Sequence, residues 1–382
     1  MTTEIQPFRI DIPQADLDDL RERLARVRWP DELPGLGWEH GAPVGYLRDL
    51  AEHWRTGYDW RAQEARLNQH PQFTTEIDGA RVHFLHVRSP RPDALPLVIT
   101  HGWPSSVAEF LDVIGPLTDP PAGEQAFHLV IPAPPGYGFS GPTRELGWGT
   151  RRIAEAWAEL MRRLGYDRYA AQGGDWASWI SRELALVAPE NVVGVHTNGL
   201  ITFPSGDPAE MEGLTDFARM GAWDRYMKEL YGYKLIQSTK PLSLAYALTD
   251  SPVGQLAWIV GALREWTDWE RAAVDRDRIL TTAMLYWLTG TAHSSARSFV
   301  ETPDTSEHAA EEGVIDQLQK GTVPHAVAVF PKDILAPVRR FAERDNNIVR
   351  WTEHDRGGTF PAMEQPDLYV ADVRAFFGGL AR

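Results

Sequence analysis

The residues best suited to do chemistry are Gly173-Gly174-Asp175-Trp176-Ala177-Ser178. The segment before them, Asp167 to Ala171, ends apolar, and Trp179 to Val187 carries a helical pattern. Together they predict a sharp strand-to-helix turn, the layout called a nucleophile elbow. Small residues two before and two after the central position, Gly173 and Ala177, permit the tight bend. The central residue is Asp175, where many such turns carry serine. A carboxylate of ordinary pKa, about 3.9, is ionised at neutral pH. It attacks without the neighbouring base that a hydroxyl needs. Taken alone, the pattern also fits a glycine-rich turn bearing a solvated aspartate.

Two further segments bear on that choice. Leu95-Pro96-Leu97-Val98-Ile99-Thr100 reads as a buried strand, with His101-Gly102-Trp103-Pro104 at its end. In an α/β-hydrolase sheet this loop supplies one backbone N–H of an oxyanion hole, and the residue after the nucleophile supplies the other. The donors are then the amides of Trp103 and Trp176, and His101 is expected to brace the turn beside Pro104. Val130 to Pro132 reads as another strand, followed by the rigid loop Ala133-Pro134-Pro135-Gly136-Tyr137-Gly138-Phe139-Ser140. Three matches in this order are far more specific than any one.

On these residues the chain resembles the epoxide hydrolases of the α/β-hydrolase fold, in their microsomal-type branch. The resemblance covers nearly the whole chain. It includes Pro7-Phe8-Arg9-Ile10-Asp11-Ile12-Pro13, Leu17 to Leu24 and Arg28-Trp29-Pro30, which look like that branch's amino-terminal segment. It continues through Asp250-Ser251-Pro252-Val253-Gly254, Met284 to Thr291, Arg356-Gly357-Gly358 and Met363-Glu364. The resemblance implies a two-step route. A carboxylate attacks an epoxide carbon while lid tyrosines hydrogen-bond the departing oxygen. A histidine oriented by an acid then activates water against the resulting ester.

Carried over position by position, Asp175 matches the nucleophile, Tyr233 the first lid tyrosine and Asp333 the orienting acid. Packed lid aromatic is the bland reading of Tyr233, and helix N-cap that of Asp333. Two positions depart from the pattern. Phe299 stands where the second tyrosine belongs, and Thr359 where the histidine belongs. His354 precedes the loop that should aim the base, so it reaches Asp175 only if that loop is rearranged. His293 and His325 have no motif support. The expectation is therefore a competent attack and an impaired release, since losing a positioned base costs about 10²–10⁴-fold.

Composition narrows the classes. A net charge of −15 over 382 residues argues against nucleic acid and anionic membranes as partners. With no Cys, disulfides, thiolate metal sites and cysteine nucleophiles are excluded. No apolar run approaches roughly 18 residues, and the start lacks a basic-then-apolar leader, so no membrane span is expected. The expected setting is cytoplasmic and the expected partner a small-molecule substrate. No cofactor or metal is implied, and a homo-oligomer stays open. Fifteen Trp suit a large aromatic core and an aromatic substrate pocket.

The elements that must position these residues follow from periodicity. Residues 1–92 form an amino-terminal arm, with Leu17, Leu20, Leu24 and Val27 at helical spacing and a D-G hairpin across Thr74 to Val87. Residues 93–200 alternate strand and helix, the first part of a mostly parallel α/β-hydrolase sheet. Residues 201–320 are a helical lid over the carboxyl ends of the strands, where ligands of open α/β sheets bind. Residues 321–382 complete the core with two strands and a helix from Pro366 to Leu380.

Other readings stay open at this stage. One is a cyclase or isomerase that opens an epoxide intramolecularly, with Asp175 as base or charge stabiliser. Another is a non-catalytic binding protein. A haloalkane dehalogenase shares the Asp-Trp pair but neither the arm nor the lid tyrosine. A laboratory substitution at the histidine position leaves Phe299 unexplained.

Overall fold

The computed structural model describes residues 4–205, 207–212, 217–271, 274–301 and 319–380. Nine strands form one sheet: β1 (Gln6–Phe8), β2 (Gln72–Ile77), β3 (Ala80–Val87), β4 (Leu95–Thr100), β5 (Phe127–Pro132), β6 (Tyr169–Gly173), β7 (Val192–Asn198), β8 (Pro324–Val329) and β9 (Asn347–Glu353). Their order is β1-β2-β3-β5-β4-β6-β7-β8-β9. The first three pair antiparallel, β3 pairs antiparallel with β5, and the rest are parallel. The central strands read as apolar runs because helices cover both faces.

Chain direction fixes the site. From β4 the chain goes outward to β5 on one side and to β6 on the other, so β4/β6 is the switch point where a crevice opens at the carboxyl ends. Thr100 pairs with Gly173 across that boundary. The loop starting at His101 and the bend carrying Asp175 are therefore neighbours by register.

Alternation along β4 separates two cores. Val98 faces the helices Thr150–Arg163 and Ala177–Val187, while Leu97 and Ile99 face Leu111–Thr118 and Pro366–Leu380. The arm helix Gln14–Ala25 buries Leu17, Leu20 and Leu24, and Val27 lies just past its end. At about 2 kcal/mol per buried leucine, this packing outweighs the helix's exposed ion pairs, each worth well under about 1 kcal/mol. The arm is held by apolar contact. Its hairpin turns at Asp78 (φ 49°) and Gly79 (φ 77°), the positive-φ pair that matches strand twist. Because β2 and β3 join the main sheet, arm and core share one continuous structure across residue 93.

The described part of the segment between β7 and β8 is helical and covers the carboxyl ends of the strands. Its helices include Gly232–Thr239, Pro241–Asp250, Pro252–Trp266, Arg276–Thr289 and Ala292–Glu301. A π-helical turn, Tyr226–Leu230, precedes the first of these. Among the described residues, no helix is long and apolar enough to cross a membrane.

Candidate active site

Asp175 has φ 53°, a left-handed conformation that a non-glycine residue adopts only when its surroundings impose it. The bend is forced by crowding. A Cβ at Gly173 would collide with the Ala177 carbonyl, and one at Gly102 with the Asp175 carboxylate. The helix Ala177–Val187 starts immediately after, which aims the aspartate out of the sheet. Trp103 N–H donates to Asp175 Oδ2 at 2.9 Å, and the Trp176 amide also donates to this carboxyl group. The two amides expected to form an oxyanion hole thus converge on the same carboxyl group.

Burial pushes Asp175 up to about 7, opposed by those two amides and by Lys234, and reinforced by the nearby Asp333 carboxylate. This corrects the expectation of a group fully ionised at neutral pH. An ordinary carboxylate pKa assumes water around it, and this carboxylate is buried.

His101 is buried, and its Nδ1 donates to the Gly102 carbonyl at 2.9 Å. Burial lowers it to about 4, so it stays neutral and ties down its own loop. Pro104 follows Trp103 through a cis peptide and is buried in the same loop.

Tyr233, from the helix Gly232–Thr239, lies parallel to Trp103 with ring centres 5.5 Å apart. Trp266 and Phe299 enclose it at 4.8 and 5.9 Å. Burial, the phenols of Tyr226 and Tyr231 and the Asp175 carboxylate hold its hydroxyl well above the usual range, so it remains protonated. Phe299 packs edge-on against both Trp103 and Tyr233. The sequence reading missed Tyr226, on the π-helical turn, which is buried and hydrogen-bonds Tyr233. It missed Lys234 as well. No local pattern marks either residue; Tyr226 lies on the π-helical turn and Lys234 on the helix after it.

At the other end of the constellation, Thr359 Oγ1 donates to Asp333 Oδ1 at 2.7 Å, and Ile334 N–H donates to the same oxygen at 2.8 Å. Asp333 precedes no helix directly, so it is not an N-cap; the next helix begins at Arg339. Burial raises Asp333 to about 6, against the Thr359 hydroxyl and the Ile334 and Gly199 amides. The loop bearing Thr359 is pinned on all sides. Thr359 N–H donates to the Trp266 carbonyl at 2.8 Å, and Asn198 Nδ2 donates to the Thr359 carbonyl at 3.0 Å. Glu364 accepts from the Asp268 and Phe360 amides at 2.7 and 3.0 Å, and Asp268 accepts from the Gly357 amide at 3.2 Å. Nothing short of breaking these bonds lets His354 swing inward. It stacks on Phe330 instead, at 4.5 Å. His325 bonds Thr197 at 2.9 Å, and His293 is half-buried on a lid helix. Among the described residues, no histidine forms a hydrogen bond or ion pair with Asp175 or Asp333.

A cavity of about 620 Å³ opens over Asp175. Trp176, Trp179, Ile201, Phe203, Tyr226, Tyr233 and Phe299 give it apolar walls, while Arg151, Arg152, Glu155 and Glu183 line another part.

Known proteins resemble this chain along nearly its whole length. The family profile "Epoxide hydrolase N terminus" matches residues 5–110, and that of the alpha/beta hydrolase fold matches residues 96–301. A putative epoxide hydrolase of Stigmatella aurantiaca is 42% identical over 98% of this chain and 84% of its own length. Epoxide hydrolase 1 of Sus scrofa is 33% identical over 98% and 88%. The crystal structure of juvenile hormone epoxide hydrolase from the silkworm Bombyx mori superposes with a TM-score of 0.89 at 29% identity, covering 99% of this chain and 95% of that one. The Aspergillus niger epoxide hydrolase gives 0.86 at 30% identity, covering 99% and 97%.

Proposed function

Because this chain belongs to the epoxide hydrolases of the α/β-hydrolase fold, we propose that it opens an epoxide on a bulky, apolar or aromatic molecule by covalent attack of Asp175. The observation that carries this reading is the buried Asp175 carboxylate on its strained bend, held by the Trp103 amide and overlooked by Tyr233. In its ionised form Asp175 displaces the epoxide oxygen from carbon, forming an ester. Tyr233 donates its proton to that oxygen, and Tyr226, bonded to Tyr233, supplies the second lid hydroxyl that Phe299 lacks. The aromatic walls hold the apolar body of the substrate. The arginines and glutamates of the lining suit a polar end.

Release is the slow step in this account. Thr359 occupies the place of the imidazole, and its hydroxyl is already spent as a donor to Asp333. Net hydrolysis is therefore impaired relative to an enzyme with a positioned base.

An intramolecular opening is the second reading. It is favoured by one observation: Asp175 is buried, which pushes its pKa up to about 7 and suits the group to taking or giving a proton as well as to attack. A single turnover of an aryl epoxide in ¹⁸O-water separates the two. The covalent route places the label in the Asp175 carboxylate, seen as a heavier peptide bearing that residue. A product formed with no label in either peptide or product overturns it.

A further inference from the structure

Tyr233 borders two cavities. One is the space over Asp175; the other, of about 820 Å³, lies between the amino-terminal arm and the lid. Trp103 and Trp266 share the wall of this second cavity with Tyr233, the three ring centres standing 4.8 to 5.7 Å apart. The arm adds Val27, Trp29 and Leu47, and the lid Leu230, Ile236 and Trp258. Trp258 donates its ring N–H to Gln237 Oε1 at 2.8 Å, which leaves the rest of the ring as apolar surface. The charged or titratable residues at this cavity, Arg28, His40, Glu229 and Glu265, are exposed, and both glutamates pair with Arg225, at 3.2 and 3.1 Å. The interior is therefore apolar and uncharged, and its size suits a small ligand.

One helix keeps the space open. Pro252–Trp266 turns Gly254, Ala257 and Gly261 toward it, three and four residues apart and so on one face. Glycine in mid-helix is less stable than alanine there. At Gly261 neither backbone nor packing requires it: its φ lies outside the left-handed region, and a Cβ would meet nothing within 4 Å. A larger apolar side chain would fill the gap and gain burial. The helix forgoes that packing, and what it keeps is room.

We propose that this arm–lid cavity is a second binding site, which takes an uncharged apolar or aromatic molecule and braces Tyr233 from behind. The ligand is a separate molecule from the epoxide over Asp175. Tyr233 stacks on Trp103 with the two rings 3° from parallel, and Trp103 carries the amide bonded to Asp175. Contact from the arm side limits how far either ring tilts. Occupancy thus acts on the proton donor and on the partner of the carboxylate together, through packing and not through charge. The expected result is faster ring opening, by about fivefold, the lower end of the range for linked sites. That acceleration rests on the role given to Tyr233 above; the binding itself does not.

The test uses 1-bromonaphthalene, whose bromine is located in crystals by anomalous scattering. A bromine peak between the arm and Trp258 is expected. At styrene oxide levels that saturate the space over Asp175, the same compound should speed consumption of the epoxide about fivefold. Gly261→Leu fills the cavity and touches no reacting group. It should keep the basal rate within a few-fold while losing both the bromine peak and the acceleration. Gly261→Ala adds one methyl and suits a helix better; it should retain both, and the wild-type crystal decides if the leucine variant does not fold. Bromine found only over Asp175, or an acceleration as large in Gly261→Leu as in wild type, overturns the proposal. So does a wild type that consumes styrene oxide at a rate the compound leaves unchanged. The covalent reading fails separately: a chain that holds bromine between arm and lid but forms no styrene oxide adduct loses that reading and keeps this site.

Discussion

The two halves of the site are built to different standards. On the Asp175 side, the carboxylate is met by two backbone amides, and Tyr233 is enclosed by three aromatic rings. On the Asp333 side, the loop opposite the carboxylate is pinned by five hydrogen bonds, yet the residue at its tip is Thr359. On the proposed route, the position that would carry an imidazole is Thr359. On that route, attack can outlive efficient release because the two steps draw on different elements.

Restoring the missing ring puts the greatest strain on this contrast. Thr359→His should accelerate diol formation by about 10²–10⁴-fold while leaving the rate of adduct formation nearly unchanged, as read by pre-steady-state mass spectrometry. An unchanged diol rate would mean that the two halves differ for some other reason. The attacking half is then probed alone. Tyr233→Phe should slow adduct formation by roughly 10²-fold, and Tyr226→Phe by about tenfold, the worth of one hydrogen bond. Neither should alter the lifetime of an adduct once formed, which stopped-flow single turnovers can check.

Acidity gives a smaller lever. Since the attacking form of Asp175 is its carboxylate and burial sets its pKa near 7, adduct formation should fall about tenfold between pH 8 and pH 6. A flat profile would place the carboxylate in a more watery setting than the structure shows. The smallest effect concerns stability. Burial raises Glu109, bonded by Ser105 at 2.6 Å, to about 8. The folded chain keeps a proton that the unfolded chain releases, so stability present at low pH is lost as pH rises between about 4.5 and 8. Glu109→Gln removes that slope. Its stability relative to wild type in urea titrations should improve with pH across this window, by at most about 1.4 kcal/mol per pH unit.

The parts of this site written in local sequence were legible. Apolar runs and turn residues mark strands, so β4 and the two loops were placed from Leu95–Thr100, His101–Pro104 and Gly173–Ser178, whereas the strand before the elbow, read over Asp167 to Ala171, runs Tyr169–Gly173. The final helix, Pro366–Leu380, was read to the residue. What was not legible belongs to packing. Tyr226 and Lys234 enter the pocket through the geometry of the π turn and the helix after it. Glu364 and Asp268 meet across a long separation in the chain. The charge of Asp175 was misjudged because its pKa follows from burial, which no short motif encodes.

The most direct test is a burst experiment with an aryl epoxide, comparing the native chain with Asp175→Asn. The account predicts a fast, stoichiometric mass gain localised to the peptide holding Asp175, followed by slow loss, and no gain at all in the variant. Steady diol production by Asp175→Asn at the native rate, with no mass gain in either protein, would contradict it.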